Sequence, residues 1–445
     1  MQIGNSIDIQ TFLNSSGFSR FQWLIFWLCF AIVLLDGFDT AAIGYIAPSL
    51  VAEWGVSKPD LAPVLSAALF GLAAGALCAG PLADRFGRRL VLIVAVFGFG
   101  LASFGSSLSG DLTTLSAFRF VTGLGLGAAM PNAVTLMNEF CPDPQRSMLT
   151  NAMFCGFPLG AALGGFLAAS MIPHWGWRSV LVLGGVAPLI LTMLLIFRLP
   201  ESIRYMVAKG QEADRIRAVL VRISSSVAPV QSFTMTEAVG AQANQSAMAL
   251  VVSTGNLLGS LMLWLSYFMG LVIFYALINW MPILFKDAGM SASMAALIAA
   301  LFPLGGIGAI LSGWWMDRYN ANWIVAICYA LTALCIFLIG HASGSLGLLM
   351  LVVFGAGAIM NTAQSSMPAL AAAFYPTQGR ATGVSWMLGI GRFGGIAGSY
   401  LVAELSRRQM AFAEIFAWVA IPGVIAALAL VVKQLVYPEK AKSQA

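Results

Sequence analysis

Two aspartates stand three residues apart inside the first long apolar run, in Leu35-Asp36-Gly37-Phe38-Asp39-Thr40. From Gln22 to Pro48 almost every other residue is apolar, a stretch long enough to cross a bilayer. Each Asp at the centre of a membrane helix costs about 2.5–3.5 kcal/mol. A chain keeps such residues only where they face a polar cavity or a partner. Three residues along a helix set two side chains about 60° apart around the axis, so both can look into one cavity. Burial disfavours the charged form of a carboxyl group, which suits either acid to carrying a proton.

Two arginines inside apolar runs join this constellation. Arg119 opens the series Arg119-x-x-x-Gly123-x-Gly125-x-Gly127, and Arg392 lies in Gly389-Ile390-Gly391-Arg392-Phe393-Gly394. Arg392 falls about 18 Å along its helix, near the midplane. The glycines around it are read as clearing space for a ligand. Carboxylate is the best-matched ligand of a guanidinium, through two parallel hydrogen bonds. Arg119 is read as the partner that holds an acid charged in one conformation and releases it in the other. The plainer reading is an Asp–Arg pair that only neutralises itself inside a bundle.

The elements that must position these residues are membrane helices. The 445 residues are 59% hydrophobic and 9% charged, with mean hydropathy +0.87, where ordinary soluble domains are about a quarter charged. Twelve apolar runs are predicted at 22–48, 61–83, 90–108, 112–138, 149–171, 178–198, 257–285, 292–315, 322–341, 345–373, 381–404 and 411–436. The expected fold is all-α, two six-helix bundles at 1–198 and 256–445 joined by a linker at 199–255. Within the linker, Ile216, Val219, Leu220 and Ile223 predict a short surface helix, and 224–247 reads as a flexible tether. The polar first twenty residues have no signal-peptide pattern, so the first run is expected to be retained.

Sixteen of the 23 lysines and arginines fall in segments that are cytoplasmic if the N-terminus is inside, five in outside loops. That bias places both termini in the cytoplasm, and the net charge of +5 then needs no nucleic-acid partner. The six cysteines, at 29, 78, 141, 155, 328 and 335, have no metal-ligand spacing and read as small apolar residues. His174 and His341 fall near the outer ends of runs, with no paired nucleophile and base and no metal set, which argues against an intramembrane enzyme.

An internal repeat sorts the charges. Gly80-x-x-x-Asp84-Arg85 recurs as Gly313-x-x-x-Asp317-Arg318, and Arg146 as Arg380, at offsets of 233 and 234. The fifth and eleventh runs both carry glycines every four residues, which lets helices approach closely. Two halves of one design suit a transporter rocking about a central site. Residues that obey the repeat are assigned to architecture and gating. Asp36, Asp39, Arg119 and Arg392 break it and are assigned to chemistry.

Gly80-x-x-x-Asp84-Arg85-x-Gly87-Arg88-Arg89, the Arg119 glycine series and Pro200-Glu201-Ser202 resemble motifs of the major facilitator superfamily. Asp36-Gly37-Phe38-Asp39, Met130-Pro131-Asn132-Ala133 and the stretch from Tyr375 to Gly394 resemble the aromatic acid:proton symporter family, closest to permeases for 4-hydroxybenzoate and protocatechuate. The resemblance implies a twelve-helix inner-membrane importer, working as a monomer without cofactor or metal and driven by the proton gradient. It implies proton coupling through Asp36 and Asp39, and a gate of Gly80, Asp84, Arg85, Gly87, Arg88, Arg89, Asp317 and Arg318. The loop at 319–322 lacks the trailing Gly-Arg-Arg of the first-half motif. For an aromatic ring, Phe38, Tyr267, Trp280, Trp386 and Phe393 are candidate walls. Asn132, Asn279 and Gln364 are candidate partners of ring hydroxyls.

The energetics agree with symport. A benzoate-type anion entering a negative interior pays about 2.3 kcal/mol per 100 mV, and one proton removes that penalty. Export of aromatic or drug-like compounds, a sensor that binds without accumulating, and carriage of gallate, vanillate, benzoate or muconate are the competing readings.

Overall fold

Apolar runs of 20 or more residues in lipid must satisfy every backbone polar group internally, and they do so here by coiling. The computed structural model describes residues 6–224, 227, 232–234, 251–253, 255–306, 320–342, 344–375 and 377–438. At 6, 84, 147, 151 and 377–381 only the backbone is described. The first half comprises α2 (Arg20–Trp54), α3 (Ala62–Phe86), α4 (Arg88–Ser107), α5 (Leu112–Phe140), α6 (Asp143–Phe154) continued by α7 (Gly156–Trp175), and α8 (Arg178–Arg198). They follow a short α1 (Ile9–Ser15). The linker adds α9 (Ile203–Ala208) and α10 (Ala213–Leu220). The second half comprises α11 (Leu257–Asp287), α12 (Ala292–Gly305), α13 (Ala321–His341), α14 (Leu346–Phe374), α15 (Thr377–Arg407) and α16 (Phe412–Val436).

Ten of these helical segments are long and apolar enough to cross a membrane, α6 and α7 counting as one. The other two spans are α12, a shorter apolar helix whose predicted continuation to 315 lies outside the described residues, and α15, a 31-residue helix. The protein is a multi-pass membrane protein, with ten such segments among the described residues.

Local signals set the ends of α2. Ser19 and Gln22 form a reciprocal capping box, and Gly55 closes the helix at φ 64°, a left-handed turn that favours glycine. The halves are built alike. Gly160 of α7 lies against the Leu34 carbonyl of α2, and Gly398 of α15 against the Val272 carbonyl of α11, where any β-carbon would collide. The first helix of each half thus packs on the fifth.

The bundles meet along α2 and α11, and along α7 and α12, where Gly165 abuts Ala300. The hydrogen bonds that tie them cluster at the end opposite the linker, here termed the far face. Lys58 pairs with Asp287, Lys286 Nζ donates to the Pro48 carbonyl at 2.8 Å, and Ser293 Oγ donates to the Ala169 carbonyl at 2.7 Å.

The predicted linker helix forms as α10, while most of 224–247 lies outside the described residues. One feature of the linker face went unread in the sequence. Ile9, Phe12 and Leu13 bury one side of α1, and Ser6–Asp8 pairs in parallel with Ser232–Thr234 of the linker.

Candidate functional site

Asp39 projects from α2 into the first bundle. Arg119 of α5 donates from Nη1 to its Oδ2 at 2.7 Å and from Nη2 to its backbone carbonyl at 3.2 Å. Ser103 of α4 donates to the other carboxylate oxygen at 3.0 Å. Both charged side chains are 1% exposed. Removing either partner of such a pair would leave an uncompensated charge in a dry site.

Asp36, one turn nearer the linker face and 2% exposed, has a different environment. Thr40 Oγ1 donates to it at 3.3 Å, and no cation among the described residues lies within ion-pair distance. The charge that reaches it from the other bundle is Arg392 of α15. The two aspartates therefore divide their surroundings. The 60° between them straddles the edge of the first bundle, with Asp39 turned into it and Asp36 toward the second.

Arg392 is half-buried and makes no hydrogen bond or ion pair among the described residues. Most glycines on this stretch of α15 pack on α11. Gly391 takes the ring of Tyr267 and Gly395 the ring of Tyr275, while Gly394 and Gly398 take the α11 backbone. The space at these four positions is filled by the neighbouring helix, so Arg392 is framed by two tyrosines from α11, while nothing among the described residues comes within 4 Å of a β-carbon placed on Gly389. Close packing at this spacing fixes the α15 backbone at Arg392 relative to α11.

The ring-wall and hydroxyl candidates scatter. Phe38 is buried inside the first bundle against Gly164 and Gly184, because it follows Gly37 on the face that packs on α7 and α8. Asn132 donates to the Ala128 carbonyl of its own helix at 2.8 Å. Asn279 donates to Ser399 Oγ at 3.0 Å, and Trp280 Nε1 to the Ser399 carbonyl at 3.1 Å, so both bind α11 to α15. Gln364 accepts from the Tyr329 hydroxyl at 2.8 Å beside Tyr267. Trp386 is 45% exposed and stacks on Trp264, with ring centroids 5.9 Å apart. It shares an outward face of α15 with Phe393 and Tyr400. Of the candidates, Tyr267 packs on Gly391, next to Arg392 in α15, and Asn279 lines the void that also holds Arg119.

A small void between the bundles is lined by Thr40, Leu65, Arg119, Tyr275 and Asn279, among others. Thr40, Ser103 and Tyr275 were missed in the sequence. Thr40 follows Asp36 by one helical turn, which is a readable signal; nothing local marks Ser103 or Tyr275.

At the linker face, Gly87 adopts φ 93° and the Glu201 carboxylate occupies the space where a side chain would stand. Glu201 Oε1 accepts from the backbone N–H of Arg88 at 2.9 Å and of Arg89 at 3.2 Å, capping α4. Arg88 Nε is 3.7 Å from the buried Glu139, which accepts from Ser202. The Tyr205 hydroxyl donates to the Arg85 carbonyl at 3.1 Å, and a β-carbon placed on Gly80 would meet nothing within 4 Å among the described residues. Glu201 and Ser202 thus join the Gly87-Arg88-Arg89 segment in one network, with Glu139 a member the sequence did not flag. The Asp84 and Arg380 side chains, and Asp317 and Arg318 entirely, lie outside the described residues.

A sequence profile of the Major Facilitator Superfamily matches residues 29–399, with a second match over 263–445. The chain is 49% identical over 432 residues to the 4-hydroxybenzoate transporter PcaK of Pseudomonas aeruginosa, covering 97% of this chain and 96% of that one. It is 45% identical to a gallate transporter of Pseudomonas putida, covering 95% and 94%. In fold it is similar to a D-xylose-proton symporter, with TM-score 0.73 and 20% identity over 95% of this chain and 99% of the other. The partially occluded inward open xylose transporter XylE from E. coli matches with TM-score 0.72 and 18% identity over 96% and 100%. The chain belongs to the Major Facilitator Superfamily and is a membrane transporter, not an enzyme.

Proposed function

We propose that this protein imports an aromatic carboxylate, of the 4-hydroxybenzoate or protocatechuate type, together with protons. The observation that carries this reading is the half-buried guanidinium of Arg392, unpaired among the described residues and within electrostatic reach of the buried Asp36. An unpaired guanidinium in a membrane bundle calls for an anion, and a planar carboxylate matches its fork. The names of the relatives supply the aromatic class: three 4-hydroxybenzoate transporters at 46–49% identity and the gallate transporter.

The linker face is assigned to the cytoplasm by the excess of Lys and Arg on that side, in the inner membrane of a bacterium. The far face is then the outside, and the described state is tied shut there by Lys58–Asp287 and its neighbours. In the reading favoured here, Asp36 takes a proton from outside while Arg392 holds the substrate carboxylate. Asp39 stays paired with Arg119 until the bundles rock. The driving force is the proton gradient, no cofactor takes part, and one chain holds the whole site.

Uptake of labelled 4-hydroxybenzoate by proteoliposomes tests this directly. An inward proton gradient should drive accumulation, and a protonophore should abolish it. Unlabelled protocatechuate, gallate and benzoate should compete in an order that defines the preferred acid. Gradient-independent uptake, or no uptake of any of the four, would overturn the reading.

A further inference from the structure

Ahead of the first membrane helix, the chain folds back across the linker face. Asp8, the last residue of the short strand at Ser6–Asp8, also caps α1: its Oδ1 accepts from the backbone N–H of Thr11 at 2.9 Å and from the Thr11 hydroxyl at 3.0 Å. One carboxylate thus joins strand and helix into a single piece. Ile9, Phe12 and Leu13 seat that piece in an apolar core shared with Phe140 of α5, Leu220 of α10 and Val227 of the linker.

The polar residues of α1 reach sideways. Asn14 Nδ2 donates to Asp143 Oδ2 at 2.8 Å, and Asn14 Oδ1 accepts from the Asp143 backbone N–H at 2.8 Å. Asp143 opens α6, so a remote amide satisfies one of the donors that a helix start leaves without an internal partner. Gln10, one turn earlier, donates from Nε2 to the Cys141 carbonyl at 3.4 Å. Its Oε1 accepts from Arg204 Nη2 at 2.8 Å and from Arg146 Nη2 at 3.3 Å, Arg146 being the arginine that obeys the internal repeat. The strand pairs with Ser232–Thr234, where the Thr234 hydroxyl donates to the Ile7 carbonyl at 3.4 Å, and that second strand lies against α10. Each of these contacts lands on the first bundle or on the linker, so a rigid rocking of the halves leaves them all in place.

The geometry points to residues 6–15 as a clip, a strand-and-helix piece that fastens the 141–146 loop and the linker strand to the first bundle as one body. Ser232–Thr234 then travels with the first bundle and is removed from the span expected to be a free tether. Two paired strands of three residues are marginal on their own, so the pairing depends on α1 being docked. Loosening α1 at its polar contacts therefore loosens the linker strand as well. The clip is independent of which substrate is carried.

Amide hydrogen exchange on the detergent-purified full chain, read by mass spectrometry, tests this coupling. Gln10→Ala/Asn14→Ala removes the polar contacts and leaves Ile9, Phe12 and Leu13 in place. Exchange should quicken roughly two- to thirtyfold, the range of a lost helix cap, at both 141–146 and 232–234, with the middle of α2 unchanged. A loop that loosens while 232–234 keeps its wild-type rate would overturn the clip, as would no change at either place. A second variant, Asn14→Cys/Asp143→Cys in a background without the six native cysteines, restores one tie covalently. Its oxidised form should protect 232–234 as the wild type does, and its reduced form should exchange faster there. Equal exchange at 232–234 in the two forms would overturn the coupling, even if the alanine variant fails to fold.

Discussion

Asparagine at position 39 removes one charge from a pair in which both side chains are 1% exposed and 2.7 Å apart. The amide can still accept from Arg119, but the guanidinium is left as an uncompensated buried charge. Its Nε already lacks a hydrogen-bond partner among the described residues, so these surroundings hold little to compensate it. Breaking a buried pair from one side costs about 3–5 kcal/mol, or roughly a hundred- to a few-thousand-fold in a folding equilibrium. Removing both charges avoids most of that cost, because a neutral pair of similar volume is often tolerated. Asp39→Asn should therefore lower the unfolding midpoint of the detergent-purified protein strongly, and Asp39→Asn/Arg119→Gln should recover more than half of the loss. Tryptophan fluorescence during a thermal or denaturant ramp reads both. An Asp39→Asn protein within about 0.5 kcal/mol of wild type, the range of an ordinary surface change, would refute the reasoning. So would a double variant as unstable as the sum of its singles.

Arg392→Lys keeps the charge and loses the planar fork. A charge-assisted hydrogen bond is worth about 1.5–3 kcal/mol, so KM for 4-hydroxybenzoate should rise roughly ten- to a hundredfold in uptake kinetics; an unchanged KM would remove the guanidinium from the substrate site. Lys58→Met breaks an ion pair whose two side chains are each 39% exposed. Such pairs contribute about 0–1 kcal/mol, so the population open at the far face should rise by no more than about fivefold. Thiol labelling of Ser293→Cys in a cysteine-free background measures that opening, and a shift toward closure would contradict the latch.

The span pattern was legible because hydrophobic runs of membrane length have few alternatives, and the internal repeat at offset 233 exposed the two halves. The charged residues were legible for the same reason: an Asp or Arg in such a run must be explained. Their partners were not. Asp36 and Asp39 differ by 60° on one helix, and only the boundary between bundles decides that one meets Arg119 and the other faces Arg392. The glycines near Arg392 announced a close approach without saying whether ligand or helix would make it; Tyr267 fills the space at Gly391 and Tyr275 that at Gly395. Polar residues such as Asn132 and Asn279 looked available in sequence because helix-to-helix and back-bonded contacts leave no local mark. The α1 segment was overlooked because only three apolar residues, Ile9, Phe12 and Leu13, carry its buried face.

In the proposed mechanism an acid on the first span and a guanidinium on the eleventh exchange a proton and an organic anion at one site. Simultaneous recording of external pH and labelled 4-hydroxybenzoate entry in proteoliposomes addresses it most directly. Wild-type protein should alkalinise the medium in step with entry. Asp36→Asn should still exchange labelled for unlabelled substrate across the membrane, with no accompanying proton movement and no accumulation. Proton movement that stays in step with entry in the Asp36→Asn protein would contradict the account.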